Sequence, residues 1–112
     1  MKKYIDNVIT IKDWSLEVFP DLKYDMQVKK LEEELREVER AENTERWEEE
    51  MADVYIVACI LWGRFKRQIG RMALSYLEML PEYNKIREEA DKKMVINRKR
   101  DWHINENGVY HH

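Results

Sequence analysis

Apolar residues recur at helical spacing along two long stretches of the chain. In the first stretch, Val28, Leu31, Leu35 and Val38 follow one another at steps of three, four and three, which places them in one stripe of an α-helix. The second stretch, after Thr44, repeats the period with Trp47, Met51, Val54, Tyr55, Ala58, Leu61 and Trp62. Only three glycines and two prolines occur among 112 residues, so little of the chain suits turns. The pattern predicts an all-α protein.

Turn signals divide the chain into four or five helices, which we expect to form an antiparallel bundle. Pro20 ends the first helix, Thr44 is the predicted N-cap of the third, and Pro81 precedes the last. The third helix should stop or bend between Gly63 and Gly70. The other predicted helices cover about 7–18, 25–42, 71–80 and 82–100.

Length and composition predict one domain over residues 1–112, with a core of about 7–102 and a tail over 103–112. A net charge of −3 argues against a general nucleic-acid binder. The longest apolar run, 54–62, is too short to span a membrane. One cysteine, Cys59, and an N-terminus without the apolar core of a signal peptide predict a cytoplasmic location.

Two pairs of acidic residues lie on the two long predicted helices. Glu34 and Glu37 are three residues apart, as are Glu50 and Asp53, and each pair lies at one border of a buried stripe. When the two helices pack antiparallel, the pairs can meet, and their mutual repulsion favours a hard divalent cation such as Mg²⁺. The alternatives are a solvated acidic surface and a di-iron site, although the latter expects Glu-x-x-His motifs that both pairs lack.

Three segments together resemble the MazG-like, all-α NTP pyrophosphatase superfamily. Residues 30–37, a twelve-residue spacer and residues 50–54 are similar to its signature of Glu-Glu-x-x-Glu followed by Glu-x-x-Asp. Residues 14–20 resemble the Trp-x-x-x-x-Phe-Pro lead-in of its dATP/dGTP-type members, and residues 93–102 resemble a Lys-Met-x-x-Asn-x-x-Arg-x-Trp segment. The resemblance extends from about Ile11 to Trp102.

The resemblance implies Mg²⁺-dependent hydrolysis of a nucleoside or deoxynucleoside triphosphate to the monophosphate and pyrophosphate, with Mn²⁺ as an alternative ion. The metal ligands that it implies are Glu34, Glu37, Glu50 and Asp53. Glu33 matches the first acid of the motif and would orient water or a ligand. Glu33, Glu34 and Glu37 are all candidates for the proton acceptor, and the sequence does not choose among them.

Five further residues are candidates for substrate binding. Lys93, Asn97 and Arg100 follow one another at steps of four and three, hence on one face of the last predicted helix, where they could bind phosphate and sugar. The alternative is a basic helix end that favours its own dipole. Lys30 could contact phosphate or pair with Glu34, and Trp14 could stack on a base or serve only in packing.

Two interpretations from other classes remain open at this stage. The apolar stretch 54–62 is compatible with a non-catalytic helical oligomer or a regulatory partner protein that retains the fold, and the basic segment 92–100 with contact to RNA or DNA. The aromatic and methionine content, together with the resemblance, predicts a homodimer or a dimer of dimers. The segment 63–82 matches no motif; it could govern subunit packing or base choice, and the sequence leaves its role open.

Overall fold

A computed structural model describes residues 4–104, 106, 110 and 111 of the chain. The five helices are α1 Val8–Val18, α2 Tyr24–Ala41, α3 Trp47–Gly63, α4 Gln68–Glu78 and α5 Tyr83–Asn97. After them, β1 (His103–Ile104) pairs antiparallel with β2 (Tyr110–His111), with His103 opposite His111 and Ile104 opposite Tyr110. The all-α prediction is confirmed, and the number of helices is five.

Helix α3 is the centre of the fold and packs against each of the other four helices. Every residue from Val54 to Leu61 is buried, because a helix that is apolar around its whole circumference is stable only when neighbours cover it on all sides. Helix α3 ends at Gly63, within the predicted interval. Among the described residues, no helix is long and apolar enough to cross a membrane.

Helix α2 is less buried than its sequence pattern predicts. Leu31 is buried, but Val28 and Val38 are half-buried and Leu35 is exposed. The physical reason is that α2 packs chiefly against α3, so only a narrow strip of its surface is covered. The prediction that Leu35 belongs to the core was wrong.

Two predicted helix ends also differ from the structure. Helix α3 begins at Trp47, and Thr44 instead closes the preceding turn, where its Oγ accepts a hydrogen bond from the Arg46 backbone N–H at 3.2 Å. Helix α5 ends at Asn97, so Arg100 lies in the turn that follows it and does not extend the helix face. At both ends, hydrogen bonds of local turns replace the helical hydrogen bonds that the prediction required, such as that from the Arg100 backbone N–H to the Asn97 carbonyl.

The segment before α1 is anchored on α5. Asp6 is buried and accepts hydrogen bonds from the Arg98 guanidinium, at 3.1 Å from Nη1, and from Thr10 Oγ1 at 2.9 Å. Arg87 donates to the Asp6 backbone carbonyl at 2.7 Å, and its guanidinium lies over the Tyr55 ring. These contacts hold Asp6 against the end of α5.

Candidate active site

Three carboxylates meet where α2 packs on α3. Glu34 of α2 and Glu50 and Asp53 of α3 each offer an oxygen atom, and these atoms all lie within 4.8 Å of one another. Glu50 is buried, while Glu34 and Asp53 are partly buried. The structure therefore brings together three of the four predicted metal ligands, as antiparallel packing of two helices with acids at their borders requires.

Glu37, the fourth predicted ligand, lies outside this cluster. Its side chain is 47% exposed, and it accepts a hydrogen bond from Arg40 Nη1 at 2.6 Å. The four-carboxylate set is thus not assembled, because Glu37 lies almost one turn further along α2, where Arg40 supplies a closer partner. Glu33, the first acid of the motif, lies 3.9 Å from Lys30 Nζ and is also outside the cluster.

Each clustered carboxylate has a cationic partner. The ion pairs are Lys30–Glu34 at 3.4 Å, Arg46–Glu50 at 3.0 Å and Lys93–Asp53 at 3.2 Å. Each of the three carboxylates therefore has one cationic group within 3.4 Å. The Lys93–Asp53 pair joins α5 to α3, whereas Lys30 lies on α2 with Glu34, and Arg46 directly precedes α3.

The proton affinities of two clustered carboxyls are perturbed. Burial raises the pKa of Glu34 from 4.5 to about 7; the charge of Asp53 adds to the rise and Lys30 opposes it. Burial also raises the pKa of Asp53, against the opposing effect of Lys93. A bound divalent cation would favour the charged forms of both carboxyls and so lower their pKa values.

A cavity of about 380 Å³ adjoins the carboxylates. All three clustered acids and their three cationic partners line it. Four aromatic residues also contribute to its wall: Trp14, Phe19, Trp102 and Tyr110. Its volume is within the range of sites that bind small molecules, and its lining combines charged groups with aromatic surface.

The four aromatic residues form one cluster of ring contacts. Phe19 lies at its centre, with ring centroids 5.1 Å from Trp14, 5.3 Å from Trp102 and 4.3 Å from Tyr110. Trp102 Nε1 donates to the Asn97 carbonyl at 3.0 Å, which holds the segment after α5 beside the cavity. Trp14 is buried, and its Nε1 has no hydrogen-bond partner among the described residues. Trp14 therefore serves in packing and also lines the cavity.

All the predicted substrate-binding residues line the cavity, although not all in the predicted way. Lys93 forms an ion pair with Asp53, and Asn97 is buried with its Nδ2 3.7 Å from Met94 Sδ. The prediction that Arg100 shares a helix face with Lys93 and Asn97 was wrong, because α5 ends at Asn97 and Arg100 lies beyond it. Lys93 and Asn97 thus line the cavity from α5, whereas Arg100 lines it from the turn that follows this helix.

Sequence reasoning missed several residues of the site. Arg46 precedes Glu50 by four residues, a spacing from which the ion pair could have been predicted. Gln27 is buried and lines the cavity, three residues before Lys30 on the same side of α2. Tyr110 had no local signal, because its position depends on the pairing of β1 with β2.

No family model matches this chain, and no curated protein or solved structure is significantly similar to it. The assignment of function therefore depends on the chemistry of the residues in and around the cavity.

Proposed function

We propose that this protein is a Mg²⁺-dependent nucleoside triphosphate pyrophosphohydrolase of the MazG-like, all-α type, acting on a nucleoside or deoxynucleoside triphosphate. The observation that carries the proposal is the cluster of Glu34, Glu50 and Asp53, whose oxygens lie within 4.8 Å of one another beside the cavity. The products would be the nucleoside monophosphate and pyrophosphate.

The donor set supports Mg²⁺, with Mn²⁺ as an alternative. Glu34, Glu50 and Asp53 supply only carboxylate oxygens, the ligands of hard divalent cations, and the cluster contains neither a histidine nor a cysteine among the described residues. When bound, such an ion would neutralise charge that develops on phosphate oxygens and lower the pKa of a coordinated water.

The cations around the cluster are suited to bind phosphate. Lys30, Arg46 and Lys93 neutralise the three carboxylates in the structure. Carboxylates engaged with a divalent ion would need these partners less, so the ammonium and guanidinium groups would turn to the triphosphate oxygens. Arg100, which also lines the cavity, would add a further positive charge.

The proton acceptor is proposed to be Glu34. Of the three candidates Glu33, Glu34 and Glu37, Glu34 alone lines the cavity. The pKa of about 7 belongs to the metal-free protein, and a bound cation would lower it, so the position of the Glu34 carboxylate at the cavity carries this assignment. The aromatic cluster, with Trp14 at the cavity wall, would contact the base, and Asn97 would bind sugar or phosphate.

The second candidate is a non-catalytic helical oligomer or regulatory partner. The observation in its favour is that the three ion pairs already neutralise the carboxylates, as a purely structural cluster would require. The two candidates differ in one property, because a structural cluster has no need of Mg²⁺. A homo-oligomeric state and a cytoplasmic location belong to both proposals.

The test is release of pyrophosphate from a panel of ribo- and deoxyribonucleoside triphosphates with Mg²⁺. We expect turnover by the wild type and its loss in Glu50→Gln. The matched control is Glu49→Gln, which makes the same chemical change at an exposed neighbouring position of α3. Absence of turnover for every substrate, or equal activity in both variants, would contradict the proposal.

The role of Glu37 is tested separately, since the structure leaves it paired with Arg40. If the three clustered carboxylates suffice, Glu37→Ala keeps Mg²⁺ binding by calorimetry. A loss of Mg²⁺ binding in this variant would show that the Glu37 carboxylate turns into the site, as the resemblance implies.

A further inference from the structure

The cavity beside the carboxylates has a charged part and an apolar part along α2 and α3. The charged part contains the three carboxylates with their cationic partners, and the positive charge of Arg100 also acts on Asp53. One to two turns further along α3, and correspondingly earlier along α2, the lining side chains are almost all apolar. These apolar lining residues are Leu22, Met26, Ile56, Val57 and Ile60. A ligand that fills the cavity would therefore place its charged groups in one part and an uncharged group in the other.

Gln27 is the polar exception in the apolar part. It lies seven residues before Glu34, which places it on nearly the same face of α2 and about 10 Å further along the helix. Only 5% of Gln27 is exposed, and it lines the cavity. Its side-chain amide forms no hydrogen bond with any other residue that the structure describes, yet it is not sealed off as Trp14 Nε1 is. Because a buried carboxamide is unfavourable without hydrogen bonds, a ligand in the cavity would find in Gln27 an unused donor and acceptor.

The amide of Gln27 matches the edge of a nucleobase. A carboxamide offers one acceptor and one donor side by side. Cytosine and adenine present an amino donor next to a ring nitrogen that accepts, whereas uracil and guanine present a carbonyl acceptor next to a ring N–H that donates. Gln27 could pair with either kind of edge through two parallel hydrogen bonds. Phosphate oxygens only accept, and they match the cations of the charged part instead.

No described residue fixes which way the amide of Gln27 points. In a site that selects one base, a protein group bonds the amide oxygen or nitrogen and so determines which side donates. Without such a partner, a 180° rotation of the amide exchanges its donor and its acceptor at little cost. We propose that Gln27 binds the base edge of the substrate in both orientations, so that the site accepts amino bases and oxo bases with similar affinity. This inference rests on the proposed function for the identity of the ligand as a nucleotide.

Calorimetry with the non-hydrolysable α,β-imido analogues of CTP and UTP in the presence of Mg²⁺ tests this role. The two bases have the same shape but the opposite order of donor and acceptor. The wild type should bind the two analogues within about tenfold of each other. Gln27→Met keeps an unbranched side chain of the same length but removes both hydrogen bonds, so it should weaken the binding of each analogue by about 10–100-fold. Inorganic tripolyphosphate, which has no base, should bind equally to the wild type and the variant, which also shows that the variant is folded.

The matched control is Gln68→Met, the same change at an exposed position of α4, which should leave the binding of both analogues unchanged. A preference of the wild type for one analogue by more than about tenfold would show that one amide orientation is fixed, and would overturn the proposal. Absence of binding, unchanged binding in Gln27→Met, or an equal loss of tripolyphosphate binding in this variant would also overturn it.

Turnover does not enter this measurement, so the two proposals fail separately. A wild type that binds both analogues through Gln27 but releases no pyrophosphate would refute the proposed function alone. Normal pyrophosphate release together with unchanged analogue binding in Gln27→Met would refute the role of Gln27 alone.

Discussion

Replacing Glu34 by Gln should make the metal-free protein more stable while removing its response to Mg²⁺. The Glu34 side chain is only 12% exposed and lies beside Glu50 and Asp53, so its charged form is costly in the folded state. Gln has nearly the same shape but carries no charge. The variant therefore separates the effect of this carboxylate on the stability of the metal-free protein from its contribution to Mg²⁺ binding.

The magnitude follows from the pKa of Glu34, which burial raises from 4.5 to about 7. The folded protein thus holds the proton to a higher pH than the unfolded chain does. The stability gained from holding the proton is fully present below pH 4.5 and is lost as the pH rises through 7. The loss amounts to about 3 kcal/mol, since each tenfold change in proton affinity is about 1.4 kcal/mol. Glu34→Gln should recover most of it at pH 7.5 and none near pH 4.

Urea unfolding of the metal-free protein between pH 4 and 7.5 measures this difference. Thermal melts should show an increase of about 10 °C for Glu34→Gln at pH 7.5, and added Mg²⁺ should raise the Tm of the wild type alone. The control is Glu37→Gln, the same change at an exposed position of α2, which should alter stability by less than about 1 kcal/mol. A Glu34→Gln variant that is no more stable than the wild type, or whose gain is the same at pH 4 and 7.5, would refute the reasoning.

Two further predictions concern the stability of other parts of the molecule, and a third concerns the metal requirement. Burial alone would raise the pKa of Asp6, but hydrogen bonds from Arg98 and Thr10 lower it overall. The stability that this carboxylate contributes is therefore present above the pKa of the unfolded chain. It is lost as the pH falls through the lower pKa of the folded protein. Asp6→Asn should therefore cost about 2 kcal/mol in urea unfolding at pH 7 and less in acid; an unchanged stability at pH 7 would contradict this. Gly70→Ala should lower the free energy of unfolding by about 1–3 kcal/mol in urea, because a Cβ there would lie 2.6 Å from the Trp62 backbone nitrogen. A more stable variant would contradict this and show that α4 can move away from α3. Pyrophosphate release should stop in excess EDTA and return with Mg²⁺; turnover that persists in EDTA would exclude a required ion.

Residue spacing was sufficient to predict the helices and the meeting of α2 with α3. A helical period fixes which residues share a face, and a short turn makes consecutive helices antiparallel neighbours. These two rules bring Glu34 to Glu50 and Asp53 without knowledge of the remaining chain. The two glycines separately predicted that α3 would stop or bend between Gly63 and Gly70, and the helix ends at Gly63.

Spacing could not show how far along each helix the contact extends. Glu37 shares a face with Glu34, yet it pairs with Arg40 outside the cluster. Leu35 has the right period for the core, but no helix covers it sufficiently. These outcomes depend on how α2 lies across α3, and a one-dimensional pattern does not contain that geometry.

The aromatic part of the cavity was the least predictable from local sequence. Trp102 and Tyr110 reach it because the chain turns after α5 and because β1 pairs with β2. Neither Trp102 nor Tyr110 lies in a segment that carries a helical period. Ile69, Met72 and Tyr76 of α4 also have helical spacing, yet they are exposed because α3 covers another face of this helix.

The position of bond cleavage tests the central proposal most directly. Hydrolysis of a nucleoside triphosphate in ¹⁸O-labelled water with Mg²⁺, followed by mass spectrometry of the products, identifies which phosphorus the water attacks. Attack at the α-phosphorus predicts one ¹⁸O atom in the nucleoside monophosphate and none in pyrophosphate. Release of orthophosphate, label in the pyrophosphate, or no turnover across the substrate panel would contradict the assignment of Glu34, Glu50 and Asp53 to a pyrophosphohydrolase site.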